Sequence, residues 1–387
     1  MLDPTIAPDY NGLTELTPSL TADSYFDPHH YDRELKRIWY RNWLYVGRSS
    51  EVRERRAFRT FEVGDQRILL VRDDGGVLRG FHNTCRHRGA LLCRESEGSL
   101  RSGTIVCPYH AWAYNLRGEL LRTTSKMEPE GFDIADYPLY QLKVLEWNGF
   151  VFVALTDKAP AFERMFDVPL NRLDAWPLAH LSVGHVLVKT IECNWKIFWE
   201  NFNECLHCPG VHPKLSSLVP IYGRGLMDER DDPQWKVHES DADPKYKGGV
   251  REGAATWSSD GQLSAAPFQG LSQEDRKVGY VFMTGWPSIY IVAHPDYVRA
   301  VRLRPLGPER TELRVEYLFS EQSLARPDLG LDRIVDFTNL VMSEDAQICE
   351  LNQRGLRAAP HVRGVLMPEE YVIRQFHQWV SSELARA

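Results

Sequence analysis

Two short stretches decide how this chain folds: Cys-Arg-His-Arg-Gly at residues 85–89 and Cys-Pro-Tyr-His-Ala-Trp at residues 107–112. Each stretch offers one thiolate and one imidazole as metal ligands. Thiolates favour zinc, Cu(I) or iron–sulfur clusters, whereas imidazoles favour zinc, copper or iron. The set of two Cys and two His therefore predicts either a tetrahedral zinc site or a [2Fe–2S] cluster in which two His replace two Cys on one iron.

The surroundings of these ligands favour the cluster. A Gly stands two residues after the first His and a Trp two residues after the second, and in both features the stretches resemble the cluster-binding loops of Rieske proteins. This resemblance assigns Cys85 and Cys107 to one iron and His87 and His110 to the other. Neutral His raises the reduction potential, to roughly −150 to +300 mV for the class, so the cluster would pass one electron. The chain departs from the family at Ala111, where Gly is usual, and structural zinc remains the alternative.

Composition is that of an ordinary globular protein large enough for two domains. The chain has 387 residues, of which 43% are hydrophobic and 26% charged, and its net charge is −7. The negative charge argues against binding to nucleic acid or to an anionic membrane, and no apolar run approaches the roughly 20 residues of a membrane helix. Four of the seven Cys fall in His-containing motifs, and no secretory signal opens the chain. We therefore expect a cytoplasmic metalloprotein without nucleic-acid or membrane partners.

The hydrophobic pattern predicts three regions and an α+β fold. Residues 1–44 form a loosely ordered arm followed by a short amphipathic helix. Residues 45–157 form a small all-β domain that contains both Cys/His stretches, and residues 158–387 form a larger domain of helices on an antiparallel sheet. Its elements are predicted as strands near residues 186–193, 278–283, 289–292, 297–302 and 312–318, mobile loops over 228–275, and a long amphipathic helix over 331–351.

A second possible metal site follows the sequence Asn-Trp-Lys at residues 194–196. The sequence predicts a helix from there to about residue 208, on which Glu204 and His207, three residues apart, share a face. Pro209 and Gly210 are expected to end that helix, so that His212 folds back beside His207. Two His in this arrangement can bind one metal ion.

A carboxylate would complete this second site. Two His and one carboxylate form the facial triad that leaves open positions for O₂ at Fe(II). Asp345, on the long C-terminal helix, is the best candidate for the third ligand, and the neighbouring Glu344 is its competitor.

The two sites, in this order over residues 40–356, resemble the catalytic α subunit of the Rieske non-heme iron oxygenases. This resemblance implies a mononuclear Fe(II) held by His207, His212 and Asp345. It also implies that Glu204 is a catalytic carboxylate that links His207 to His110 of a neighbouring chain, and hence a ring-shaped homotrimer.

The sequence Glu-Cys-Leu-His-Cys at residues 204–208 resembles the branch of that family that acts on carnitine, glycine betaine and related quaternary ammonium compounds. The resemblance implies an enzyme that uses O₂ to hydroxylate or N-demethylate such a substrate. The chain has no convincing Gly-x-Gly-x-x-Gly motif, so NAD(P)H electrons are expected to come from a separate flavin/iron–sulfur reductase. An aromatic ring-hydroxylating dioxygenase α subunit and a non-catalytic electron carrier remain alternatives.

For several other residues, the sequence gives only weak indications of a functional role. Cys205 and Cys208 are expected to be packing residues, because thiolates suit an O₂-activating iron site poorly. His294 is expected to be a satisfied core residue. Five aromatic side chains are candidates for a cation–π cage around a trimethylammonium group, although residues of this kind are often simply core: Trp199, Phe202, Tyr280, Trp286 and Tyr290.

Overall fold

The structure is a computed structural model that describes residues 6–386. The chain forms two compact units: Trp39–Met165 is one, and the segments on either side of it together make the other. Helices and sheets are mixed, so the predicted α+β fold class is confirmed. Within residues 6–386, every helix is too short or too polar to span a lipid bilayer.

The N-terminal segment contains regular structure that was not predicted. Strand β1 (Thr17–Thr21) pairs antiparallel with the strand Arg363–Leu366, near the other end of the chain. Helix α1 (Pro28–Glu34) begins at Asp27, whose side chain accepts hydrogen bonds from two backbone N–H groups in the first turn, and it runs on into the π-helical turn Leu35–Trp39. The expectation of a loose arm was therefore wrong for residues 17–21, because β1 gains its order from a distant partner, and residues 1–5 of the arm lie outside the described residues.

The unit Trp39–Met165 is built from two antiparallel sheets. Seven strands form one sheet in the order β2-β11-β10-β5-β4-β3-β6, and three form another in the order β7-β8-β9. The strands are β2 (Leu44–Arg48), β3 (Ala57–Val63), β4 (Gln66–Arg72), β5 (Leu78–His82), β6 (Glu97–Ser99), β7 (Thr104–Val106), β8 (Ala113–Asn115), β9 (Leu120–Arg122), β10 (Gln141–Trp147) and β11 (Phe150–Ala154). The two Cys/His stretches occupy the β5–β6 and β7–β8 loops.

The larger unit carries a five-stranded antiparallel sheet in the order β12-β16-β15-β14-β13. The strands are β12 (Leu181–Ile191), β13 (Val281–Gly285), β14 (Ile289–Ala293), β15 (Val298–Gly307), β16 (Arg310–Ser320) and, paired with β1, β17 (Arg363–Leu366). The helices are α2 (Trp195–Phe202), α3 (Cys208–Val211), α4 (Pro213–Leu218), α5 (Pro244–Lys247), α6 (Gln273–Val278), α7 (Glu321–Leu324), α8 (Leu331–Gly355) and α9 (Tyr371–Ala385). The predicted long helix corresponds to α8, whereas α9 was not predicted, and the region taken for mobile loops contains α5 and the first three residues of α6.

One face of this sheet is covered by α2 and α8. Arg299 on β15 lies opposite Tyr317 on β16, and Tyr290 on β14 lies opposite the residue two positions beyond Arg299. Because side chains two apart on a strand share a face, these three residues point to the same side of the sheet. The Tyr317 hydroxyl lies 2.5 Å from Thr338 Oγ1 of α8, and the Phe198 ring of α2 stacks on Tyr290.

A buried ion pair attaches α1 to the start of α2. Lys196 Nζ donates to Glu34 Oε1 at 2.5 Å, to Asn194 Oδ1 at 2.8 Å and to the Ser24 carbonyl at 2.9 Å. The indole N–H of Trp195 donates to the other oxygen of Glu34 at 2.8 Å. The side chains of Lys196 and Glu34 are 0% and 1% exposed, so each charge depends on the other for compensation.

We predict that Lys196→Met lowers the free energy of unfolding of this unit by about 3–5 kcal/mol, because it leaves the Glu34 carboxylate buried without its partner. Denaturant unfolding followed by circular dichroism measures the change. Lys36→Met removes a lysine from the exposed pair with Asp32 and is expected to have little effect. Equal effects of the two substitutions would contradict the assigned role of Lys196.

Candidate functional site

The two Cys/His loops share one backbone pattern. In the first, the Cys85 N–H donates to the Ala90 carbonyl at 2.8 Å, and the Gly89 N–H donates to the Cys85 carbonyl at 3.0 Å. The second loop repeats both hydrogen bonds at the equivalent positions of residues 107–112, at 2.8 and 3.0 Å. The two loops thus share one backbone turn, in which His stands two residues after Cys in the first loop and three residues after Cys in the second.

This turn requires a left-handed backbone at the fourth residue after each Cys. Gly89 has φ of 76° and Ala111 has φ of 51°. A left-handed backbone costs a residue with a Cβ atom about 1–2 kcal/mol, which is the physical reason for Gly at such positions. The loop therefore tolerates Ala111 at a modest cost in stability.

The four donor groups of these loops converge. The thiols of Cys85 and Cys107 interact directly, and the imidazole centroids of His87 and His110 lie 4.7 Å apart. The Cys residues are buried, whereas His87 is exposed and His110 is half-buried. Burial raises the pKa of the Cys85 thiol, and its contact with Cys107 raises that pKa further. Two buried Cys and two more exposed His are the ligand types of a [2Fe–2S] cluster of this kind, so the residues present would fit one.

Tyr114 also belongs to this site, although no sequence signal pointed to it. Its hydroxyl lies 3.3 Å from Cys85 Sγ and accepts a hydrogen bond from the Arg86 N–H at 3.1 Å. Burial and the contact with Cys85 raise the pKa of Tyr114, so the hydroxyl remains protonated at neutral pH. Since its oxygen already accepts from Arg86, its proton is available for donation to the sulfur.

In the larger unit, two imidazoles and a carboxylate face a common point. Nε2 of His207 lies 3.2 Å from Nε2 of His212, and Asp345 Oδ1 lies 2.9 Å from the latter and 3.5 Å from the former. Two neutral nitrogens and one anionic oxygen are the donor set of a facial triad, so these residues fit a mononuclear iron.

The outer nitrogen of each imidazole meets another carboxylate. His207 Nδ1 lies 2.5 Å from Glu204 Oε1, and His212 Nδ1 lies 2.8 Å from Glu344 Oε2. Hydrogen bonds of this kind fix the tautomer of a metal-binding His and leave Nε2 free as a ligand. Glu344, the competitor of Asp345 in the sequence, thus lies on the outer side of His212.

The charges of this cluster are strongly coupled. Burial lowers the pKa of His207, but contacts with Asp345 and Glu204 outweigh burial and raise it to about 9. Burial favours a neutral Asp345, yet its contacts with the two imidazoles lower its pKa. The carboxylates therefore create a negative potential at the common point, which either protons or a metal cation can offset.

The chain reaches this geometry by a different local fold from the predicted one. Helix α2 ends at Phe202, so Glu204 lies in an irregular segment, and the prediction of one continuous helix to about residue 208 was wrong. Pro209 and Gly210 lie inside α3 rather than ending a helix. Pro suits the first turn of a helix because the N–H that it lacks has no partner there. His212 follows α3 directly.

Cys205 and Cys208 are buried as expected, but they form a disulfide with each other and are not free packing residues. Ligand atoms of His207, Cys208 and His212 lie within 4.8 Å of one another. Since the Cys208 sulfur is bonded to Cys205, it offers no thiolate to a metal. Asp345 is therefore the anionic group that faces the Nε2 atoms of both imidazoles.

A cavity adjoins this triad. Of the five aromatic candidates, Phe202 and Tyr290 line it, with ring centroids 4.0 Å apart. Trp199, Tyr280 and Trp286 do not. Further lining residues that were not predicted include Tyr222, Trp257, Phe282 and Arg299. The alternation of side chains along β15 could have predicted that Arg299 shares a face with apolar residues of that strand. It could not have predicted that this face lies beside the metal-binding residues.

The other three candidates lie elsewhere. Trp199 is fully buried and donates its indole N–H to the Pro287 carbonyl at 2.9 Å. Tyr280 packs against Trp257 from outside the cavity lining. Trp286 packs against aromatic side chains of α9.

Two family models match the chain. Residues 171–386 match the ring hydroxylating alpha subunit (catalytic domain), and residues 42–138 match the Rieske [2Fe-2S] domain. Similar curated proteins include the glycine betaine monooxygenase oxygenase subunit of Chromohalobacter salexigens, 28% identical over 95% of this chain and 86% of that protein. Choline monooxygenase of Arabidopsis thaliana is 29% identical over 94% of this chain and 84% of that protein.

Solved structures share the fold. A quaternary ammonium Rieske monooxygenase in complex with L-carnitine has a TM-score of 0.71 and 22% identity, over 95% of this chain and 96% of that one. Naphthalene 1,2-dioxygenase from Rhodococcus sp. bound to indole has a TM-score of 0.71 and 20% identity, over 95% of both chains.

We predict that Tyr114→Phe lowers the reduction potential of the cluster by about 40–60 mV. The lost hydrogen bond favours the more negative, reduced sulfur, and about 1–1.4 kcal/mol corresponds to this shift for one electron. A redox titration followed by electron paramagnetic resonance measures it. Tyr109→Phe, whose exposed hydroxyl contacts Arg88, is the matched control. An unchanged potential in the Tyr114 variant would refute the hydrogen bond.

Proposed function

The chain belongs to the Rieske oxygenase family, with a ring-hydroxylating alpha-subunit catalytic domain, and it is therefore an oxidoreductase. From this premise we propose that it hydroxylates or N-demethylates a small quaternary ammonium substrate of the betaine kind. The observation that carries the proposal is the cavity in which aromatic side chains adjoin the triad of two imidazoles and a carboxylate. Curated relatives named for glycine betaine and choline support the choice of substrate class.

The chemistry divides between two groups of residues. Cys85, Cys107, His87 and His110, within residues 45–157, would hold the cluster, and the triad of His207, His212 and Asp345, within 158–387, would hold mononuclear Fe(II). When bound, these groups supply one-electron transfer and O₂ activation. The imidazole Nδ1 atoms, held by Glu204 and Glu344, keep both Nε2 atoms directed at the metal position.

The aromatic wall supports a cationic substrate. The rings of Phe202 and Tyr290 can contact a trimethylammonium group through cation–π interactions. One oxygen atom would enter a C–H bond of an N-methyl group, and the other would leave as water with two electrons and two protons. The resulting hemiaminal would collapse to the demethylated amine and formaldehyde. The likeness to naphthalene dioxygenase is one of fold and does not favour ring hydroxylation.

We propose that Glu204 mediates electron transfer between subunits. It lines the cavity beside the triad and also a second cavity, lined by residues that include Tyr25, Glu200 and His377. We propose that His110 of a neighbouring subunit docks at this second cavity in a homotrimer. Each Glu204 oxygen has lone pairs left after its contacts with His207, so the carboxylate can accept a further hydrogen bond.

The electrons would come from NAD(P)H through a separate flavin/iron–sulfur reductase, because the chain lacks a dinucleotide-binding Gly motif. We propose a cytoplasmic location because, among the described residues, five buried Cys are free and only Cys205 and Cys208 form a disulfide.

A panel of betaines, choline and simple aromatics tests this function. With a generic Rieske reductase, we expect quaternary ammonium compounds to stimulate NADH and O₂ consumption and to release formaldehyde equimolar with O₂. Aromatic hydrocarbons are expected to have no effect. Stimulation by aromatics alone would overturn the proposed substrate class.

We predict that Asp345→Ala abolishes turnover and leaves the visible spectrum of the cluster intact, because only the mononuclear site loses a ligand. Iron should fall from about three to about two per chain while sulfide stays at about two. Asp336→Ala changes an exposed residue of the same helix and serves as the control. Retained turnover would point to Glu344 as the ligand or to a different site.

The same variant tests the homotrimer. Asp345→Ala coexpressed with the cluster-deficient Cys107→Ser variant should regain activity, since an intact cluster in one subunit can serve an intact triad in the next. Absence of activity in mixed trimers verified by mass spectrometry would contradict transfer between subunits.

A further inference from the structure

Arg299 places a buried positive charge in the wall of the cavity beside the triad. It lies on β15 and is 4% exposed, and its side chain belongs to the cavity lining. Its Nε and Nη1 atoms are buried, and no acceptor within residues 6–386 pairs with them. Charged N–H groups without a hydrogen-bond acceptor are costly to bury, so these atoms favour an anion that a bound ligand can supply.

Neighbouring arginines of the same sheet have such partners in the protein. Arg304 Nη2 lies 2.8 Å from Glu312 Oε2, and Arg314 Nε lies 2.9 Å from Glu316 Oε1. Arg304 is an odd number of residues from Arg299 on the same strand, so its side chain points to the opposite face. Arg299 thus differs from its neighbours in facing the cavity and in lacking a carboxylate there.

A second donor without a partner lies next to Arg299. Trp257 also lines the cavity and is 3% exposed, and its indole N–H is buried without an acceptor among the described residues. Arg299 Cζ lies 5.8 Å from the centre of the Trp257 ring. Two adjacent donors without acceptors match a ligand with two acceptor oxygens.

The nearby titratable side chains do not supply the missing negative charge. His294 is fully buried and its Nδ1–H donates to the Gly279 carbonyl at 3.1 Å. Burial, and then the charge of Arg299, lower the pKa of His294 well below its usual value, so this imidazole is neutral. Burial raises the pKa of Tyr290, so its hydroxyl is neutral as well. Asp345 is engaged with the two imidazoles of the triad.

We propose that Arg299, assisted by the Trp257 indole N–H, binds the carboxylate of the substrate, and that the enzyme therefore acts on betaines rather than on choline. This inference rests on the proposed function and narrows it. A betaine joins a quaternary ammonium group to a carboxylate, so its anionic end satisfies Arg299 while its methyl groups occupy the aromatic part of the cavity. Choline carries only positive charge and leaves the guanidinium unpaired.

The cavity brings the two ends of such a substrate to different groups. Tyr290, Arg299 and Asp345 line the same cavity, and Tyr290 interacts electrostatically with both of the others, so one aromatic side chain lies near the carboxylate site and near the triad. A carboxylate held at Arg299 would fix the position of the ligand in the cavity and thereby direct an N-methyl group toward the triad.

The test compares the wild-type holoenzyme with Arg299→Gln and Arg299→Lys on glycine betaine, carnitine and choline. We expect wild-type kcat/KM for the betaines to exceed that for choline at least about tenfold. Arg299→Gln should lower kcat/KM for the betaines about 10- to 100-fold, mainly through KM, and leave the value for choline unchanged or raised. Arg299→Lys should restore part of the loss. Arg304→Gln, on the opposite face of β15, should leave the preference unchanged.

Three results would overturn the inference: a wild-type preference for choline, equal losses on all substrates in Arg299→Gln, or unchanged betaine kinetics. If no quaternary ammonium compound is turned over, the proposed function fails, and calorimetry then decides the carboxylate site separately. Binding of benzoate to the wild type, lost in Arg299→Gln, would support the site, and absence of binding would refute it. Arg299→Lys, which keeps the charge, covers the case in which Arg299→Gln does not fold.

Discussion

The orientation of two imidazoles is the constraint on which the catalytic unit depends. Each ring has two nitrogens, and only one can face the metal position. Glu204 and Glu344 occupy the outer nitrogens of His207 and His212, so both inner nitrogens converge on Asp345. If either carboxylate released its ring, the set of three donor atoms would no longer be defined, since a free imidazole can rotate about its side-chain bonds.

One helix supplies the two carboxylates that contact the two nitrogens of the His212 ring. Glu344 and Asp345 are consecutive on α8, so their side chains leave the helix about 100° apart. That angle lets one carboxylate reach Nδ1 of His212 while the next reaches Nε2. Helix α8 therefore fixes the proposed ligand and its support together, and a helix that also packs against the sheet through Thr338 can hold them with little freedom.

Much of the site could be predicted from the sequence because its chemistry is local. The Cys/His loops and the pair His207 and His212 sit within short motifs whose residue types restrict the ligands strongly. Asp345 was a candidate because two imidazoles need an anionic third ligand, and the resemblance to a family then assigned it to the iron. The groups that escaped prediction, such as Tyr114 and Arg299, depend on strand register, which brings residues far apart in sequence onto one face.

The fold features that were predicted wrongly also depend partly on contacts between distant parts of the chain. Strand β1 pairs with a strand more than 340 residues away, and no local pattern reveals such a partner. The helix after residue 194 was extended too far, since apolar periodicity continued beyond its real end at Phe202. The disulfide between Cys205 and Cys208 also depends on how the irregular segment after α2 turns, which composition alone does not indicate.

The pairing of β1 with β17 has a topological consequence. The cluster-bearing unit is an insertion in a discontinuous domain, whose first segment ends at Ile38 and whose second begins at Phe166. During synthesis the inserted unit is complete before β17, the last strand of the surrounding domain, has been made. A fragment that starts after the insertion would lack Glu34, which pairs with Lys196, and β1, which pairs with β17. The surrounding domain therefore cannot be produced by a single truncation of the chain.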